Sequence, residues 1–139
     1  MEASYENPWM FEGKPFESER IGKHQGFVYL ITDTVSGQLY VGKKFFHSIR
    51  KVKGKTKRQR FESDWKDYYS SSEKLKSLVK AADDKSRFRR EILSLHLTRG
   101  QVNYHEVKQQ FVRDVLYALC SKGERLYMND NILGRYYAK

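Results

Sequence analysis

Tyr29 and Tyr40 stand eleven positions apart. Each sits in a short run rich in β-branched and aromatic residues, 26–32 and 38–42, with turn chemistry in Asp33-Thr34-Val35-Ser36-Gly37 between them. Two such runs form a β-hairpin, which brings both phenols to one face of a sheet. A free phenol, with a pKa of about 10, is a poor base. A metal ion or several cations nearby would favour the phenolate, and Lys43, Lys44 and Arg50 follow closely in sequence. Most strand tyrosines only pack, so the pair does not define a reaction by itself. The reaction it could serve is phosphodiester hydrolysis. That chemistry needs an oxygen ligand for a hard cation, a cationic side chain for the developing phosphorane, and a proton acceptor near the attacking water.

The charge distribution favours a polyanionic partner. The chain of 139 residues carries a net charge of +10. Lys43, Lys44, Arg50, Lys51, Lys53, Lys55, Lys57, Arg58 and Arg60 occur with no acid among them. Such an excess is self-repelling in a compact chain and suits a phosphate backbone. No apolar run approaches the roughly 18 residues of a spanning helix, and no signal peptide is visible. The expectation is therefore no membrane and a cytoplasmic location, that of a bacterial host if the chain is phage-encoded. Cys120 is the only cysteine, which rules out an intrachain disulfide and a multi-cysteine zinc site.

The surrounding elements follow from periodicity and punctuation. Residues 1–25 read as an extended arm whose aromatics lie on the domain. Residues 26–139 read as one domain with a basic insertion at about 50–61. Phe45, Phe46 and Ile49 suggest the buried side of a short helix, and Gly54 with its dense charge suggests a loop or protruding ribbon. Ser70-Ser71-Ser72 before Glu73 has N-cap character, with Leu75, Leu78, Val79 and Ala82 at helical spacing after it. Residues 88–97 read as a third strand. A long helix is expected over 101–120, with Tyr104, Val107, Phe111, Val115 and Ala118 as its buried stripe. The aromatic tail after Leu126 should pack back on the sheet. The class is α/β: a small antiparallel or mixed central sheet of three strands flanked by helices.

Gly26-Phe27-Val28-Tyr29 followed by Tyr40-Val41-Gly42 resembles the paired motif of the GIY-YIG nuclease family, with one residue extra between the first Gly and Tyr. Lys43-Lys44-Phe45-Phe46 and the stretch from Glu62 to Ser72 resemble its phage-encoded Seg-type branch. The resemblance implies a general-base role for Tyr29 and an ordering role for Tyr40. It implies an arginine after the second motif, for which Arg50 is the choice on spacing and Arg58 and Arg60 are rivals. It implies one metal-binding carboxylate on the helix after the third strand, which is Glu106, holding one Mg²⁺ or Mn²⁺. Asn129 and Asn131 are candidates for a late family asparagine, although their spacing from Glu106 is long. His47 is a candidate for a supporting role.

The resulting expectation is a metal-dependent DNA endonuclease acting as a monomer or weak dimer. Lys43, Lys44, Lys51, Lys53, Lys55, Lys57, Arg58 and Arg60 are expected to track phosphates with limited base readout. No zinc finger or helix-turn-helix module is visible, so high sequence specificity is not expected. A non-catalytic nucleic-acid-binding module of the same fold, an RNA-directed nuclease, and a basic protein-interaction domain are the rivals.

Overall fold

The hairpin expected around the two tyrosines is the centre of the sheet. In the computed structural model, which describes residues 3–139, the chain forms β1 (Met10–Phe11), β2 (Lys14–Pro15), β3 (Gly26–Asp33), β4 (Leu39–Phe45), β5 (His47–Lys51), β6 (Arg58–Glu62), α1 (Glu73–Ala81), β7 (Phe88–His96), α2 (Arg99–Val112), β8 (Asn131–Ile132) and β9 (Tyr136–Tyr137). Met1 and Glu2, the start of the expected arm, lie outside the described residues.

The central sheet has the order β2-β1-β7-β3-β4. β3 pairs antiparallel with both β4 and β7, and β1 runs parallel to β7, so the sheet is mixed. It has five strands rather than the expected three. The arm supplies the other two, because the outer edge of β7 has main-chain groups that need partners and Met10 pairs there.

Alternation along β3 sends the side chains to two different cores. Phe27, Tyr29 and Ile31 join an aromatic core with Trp9, Phe16, Phe46, Trp65, Phe88 and, from α1, Leu75 and Val79. Val28 and Val41 join an aliphatic core with Val115, Leu116, Tyr127 and Ile132, beside α2. Both helices begin on the expected kind of cap. Ser72 Oγ accepts from the Leu75 N–H at 3.3 Å, and Thr98 Oγ1 accepts from the Gln101 N–H at 3.1 Å.

Two expectations for the segments flanking the site do not hold. Phe45, Phe46 and Ile49 are not helical. Phe46 is fully buried and stacks on Phe16 at a corner between β4 and β5, and β5 with β6 forms a separate two-stranded ribbon. α2 ends at Val112 and is rotated from the expected stripe, leaving Tyr104 64% and Phe111 53% exposed. Its inward positions are Val102, Glu106 and Gln110. Polar groups turn inward there because the free edge of β4 needs hydrogen-bond partners, and Gln110 Nε2 donates to the Val41 carbonyl at 3.3 Å.

The tail covers the rest of that edge. The Leu39 N–H donates to the Leu126 carbonyl at 2.9 Å, and the Met128 N–H donates to the Leu39 carbonyl at 2.7 Å.

Candidate active site

Strand register sets the tyrosine pair. Tyr29 lies opposite Gly42 and Tyr40 lies opposite Ile31, so the two phenols share one face as diagonal neighbours. Their rings stack with centroids 6.3 Å apart. A register shift against β7 falls between Val28 and Tyr29, a bulge of the kind that re-aims a side chain beside a site. Gly42 has a steric reason to be glycine. A Cβ there would lie 2.6 Å from Tyr29 Cζ, so the tyrosine ring occupies the space that any side chain would need.

The pair is unequal in exposure. Tyr29 is 1% exposed, whereas Tyr40 lines a cleft of about 510 Å³ together with Lys43, Ser71, Lys74, Glu106 and Asn131. Burial pushes the Tyr29 phenol well above its ordinary range, and the neighbouring Tyr68 and Tyr40 reinforce the shift. Tyr29 is thus a neutral phenol in this arrangement, contrary to the cation field expected from sequence. Lys44 pairs with Asp64 at 2.7 Å and lies 4.1 Å from the Tyr68 ring centre, and Lys43 turns towards Glu106 and Asn103. Tyr40 is also raised by burial, with a hydrogen bond from Ser71 acting against the shift. Tyr68 packs edge-on against Tyr29, with ring centroids 6.1 Å apart, and together with Ser71 it gathers four hydroxyls between the core and the cleft.

Glu106 reaches the same cleft from α2, with its side chain 16% exposed. Burial raises its pKa, and Lys43, with Nζ 3.6 Å from Oε1, opposes that shift. The carboxylate is therefore desolvated and only loosely neutralised, so it would gain from a cation. No group of three His, Cys, Asp or Glu converges on a metal-sized site among the described residues. An ion here would take one carboxylate and complete its shell with water and phosphate oxygens. That donor set suits Mg²⁺, which dehydrates reluctantly.

Arg50 is not brought to this cleft. It lies on β5, exposed, with its guanidinium stacked 4.2 Å from the Phe61 ring centre. Arg58 and Arg60 are on β6 of the same ribbon, and His47 accepts a hydrogen bond from Arg60 at 2.9 Å there. The cations lining the cleft are Lys43 and Lys74. Asn129 is 2% exposed, and its carboxamide clasps the main chain of Val41, accepting from the N–H at 3.1 Å and donating to the carbonyl at 2.8 Å. It fixes the strand on which Tyr40 stands. Asn131 lies on the rim and caps Gly134.

Sequence reasoning missed Tyr68, Ser71 and Lys74 as site residues. The one available signal was their position around the start of α1, Tyr68 and Ser71 in the Tyr68-Tyr69-Ser70-Ser71-Ser72 stretch and Lys74 in the first turn of the helix.

A mixed sheet with a helix on each face and a polar cleft at its edge, lined by Tyr40, Glu106 and two lysines with Tyr29 buried behind them, defines an α/β domain suited to phosphate-ester chemistry. A family model described as "Putative endonuclease segE, GIY-YIG domain" matches residues 9–132. The chain belongs to the GIY-YIG nuclease family, in its Seg-type branch. Comparison with curated proteins and with solved structures gave no significant match. Among the described residues, no helix is long and apolar enough to cross a membrane.

Proposed function

We propose that this chain is a divalent-metal-dependent endonuclease that hydrolyses phosphodiester bonds in DNA. The observation that carries the reading is the meeting of a desolvated Glu106 carboxylate with Tyr40 in the cleft at the edge of β4. Glu106 would hold one Mg²⁺ or Mn²⁺ ion, which when bound would acidify a water and stabilise charge on the phosphate.

The chain's own groups supply the rest. Tyr40 faces the cleft and orients water and phosphate through its hydroxyl. Tyr29, held as a neutral phenol in the core, acts by positioning Tyr40 and Tyr68, against whose rings it packs. Lys43 and Lys74 place positive charge on the cleft wall where phosphorane charge would develop, the task that Arg50 cannot perform from the ribbon. Asn129 acts through Val41 and is a positioning residue. Products with 5′-phosphate and 3′-hydroxyl ends follow from the family resemblance.

The test is nicking of supercoiled plasmid with Mg²⁺ by the wild type, Glu106→Gln and Tyr40→Phe. Glu106→Gln should lower the rate by about 10³-fold with an unchanged circular-dichroism spectrum, and Tyr40→Phe by about 10²-fold. Equal nicking by wild type and Glu106→Gln would remove the carboxylate from the mechanism. Absence of nicking by all three, in Mg²⁺ and Mn²⁺, would favour a binding module. Faster cleavage of a matched RNA would reassign the substrate. At subsaturating Mg²⁺, acidification should weaken nicking from above the ordinary glutamate range, because protons and the ion compete for Glu106 and burial raises its pKa, and saturating Mg²⁺ should move that loss to lower pH.

A further inference from the structure

The β5–β6 ribbon is built against its own electrostatics. Seven cations lie between Arg50 and Arg60 with no acid among them, and none of the seven forms an ion pair among the described residues. Lys51 lies directly opposite Arg58, a like-charge cross-strand pair that weakens a ladder. The two strands make no extensive contact with any other strand or helix, so no core offsets that repulsion. The ribbon's root is nevertheless firmly held. Phe46 and Trp65 are fully buried on either side of it, and the Ser63 N–H donates to the Phe46 carbonyl at 2.7 Å. An exposed basic ribbon on a rigid root is expected when a polyanion completes it.

The shape narrows the partner further. Five cross-strand pairs make a ribbon roughly 17 Å long. The major groove of B-form DNA, about 12 Å wide, admits a two-stranded ribbon. One face of this ribbon carries Ile49, 55% exposed, between Arg60 directly opposite and Lys51 two places along. An exposed isoleucine among cations has no use against phosphate alone, whereas a thymine methyl in the major groove offers it a partner. Arg60 is pre-oriented by its hydrogen bond to His47, whose pKa burial lowers, keeping the imidazole neutral and able to accept.

We propose that the β5–β6 ribbon inserts into the major groove of duplex DNA, with Ile49 and Arg60 towards the base edges and the loop lysines 53, 55 and 57 on flanking phosphates. This goes beyond the phosphate tracking expected from sequence, and it rests on the reading above that duplex DNA is the substrate.

Binding is measured by fluorescence polarisation in chelator with the Glu106→Gln chain, so no cleavage intervenes. The combined Lys53→Glu, Lys55→Glu and Lys57→Glu variant alters exposed positions only. It should bind duplex DNA on the order of 100-fold more weakly, with a salt slope smaller by about 3. Methyl green, which occupies the major groove, should displace the chain from DNA, and netropsin, which occupies the minor groove, should not. Duplex RNA of the same sequence should bind more weakly, because its major groove is too narrow for side chains to read. Unchanged binding by the triple variant, displacement by netropsin alone, or equal binding of the two duplexes would overturn the insertion. Failure of the plasmid assay leaves all these results readable, and displacement by netropsin alone leaves cleavage untouched.

Discussion

Two buried polar side chains hold the two sides of the sheet, and they work differently. On the aromatic side, Arg90 of β7 is 1% exposed and forms no ion pair among the described residues. Its guanidinium donates to the carbonyls of Asn7, Glu6, Lys66 and Tyr68, between the rings of Trp9 and Tyr69. At the opposite edge, Asn129 is neutral and clasps one residue, Val41. Arg90 ties together three segments that come from distant parts of the chain, whereas Asn129 ties one strand to the tail. A charge is tolerated in the first place because many carbonyls and two aromatic faces replace its water. The second place needs only a carboxamide, which presents the same donor and acceptor pair as a peptide group. Both anchors bear on the cleft, Arg90 through the Tyr68 main chain and Asn129 through the strand of Tyr40.

The largest effect should come from breaking the charged anchor. Arg90→Met leaves several buried carbonyls without a donor and should cost about 3–5 kcal/mol, read as a fall in the urea midpoint. A loss below 1 kcal/mol would mean that water replaces the guanidinium and that the cage is not an anchor. Next, Asn129→Ala should cost about 2–3 kcal/mol by leaving the Val41 N–H unpaired. It should also slow nicking, since Tyr40 loses its support. Full activity with that loss of stability would separate the clasp from the site.

A third, more exposed contact calibrates both. Asp33 is held by a two-pronged pair with Arg87, both distances 2.8 Å, and the hydrogen bond from Arg87 lowers its carboxyl pKa to about 2. A carboxyl depressed in the folded state stabilises the fold above its ordinary pKa of about 4 and loses that contribution as pH falls towards 2. Acid titration of stability should therefore show up to about 2 kcal/mol lost in that window, and Asp33→Asn should remove it. An identical acid profile for Asp33→Asn would assign the loss to other carboxyls.

The smallest effect has the opposite sign. Ser70 is buried with φ 122, a left-handed conformation costly for any residue with a Cβ. Ser70→Gly should relieve that strain, offset in part by loss of the hydrogen bond from the Ser72 N–H to Ser70 Oγ, for a net gain of about 0.5–1 kcal/mol in thermal unfolding. A destabilised glycine variant would show that the hydroxyl contact outweighs the strain.

The sequence alone determined what is local. Alternating apolar residues around a turn specified the β3–β4 hairpin, and period-two geometry then placed Tyr29 and Tyr40 on one face. Serines before Glu73 specified the start of α1, and Gly54 amid charge marked a loop or a ribbon. Hydrogen bonding and strand periodicity act over a few residues, so these features are readable in order along the chain.

Tertiary structure decided what depends on partners far apart in sequence. Periodicity pointed the apolar stripe of Tyr104 and Phe111 inward, and the unpaired edge of β4 selected instead the face of α2 that carries Glu106 and Gln110. The arm became two strands of the sheet because β7 had an edge to cover. Spacing put Arg50 beside Tyr40, but the buried corner at Phe46 turned the chain away and carried the arginine onto the ribbon, leaving Lys43 and Lys74 as the cations of the cleft. Burial, which no single stretch of sequence displays, raised the Tyr29 phenol instead of lowering it.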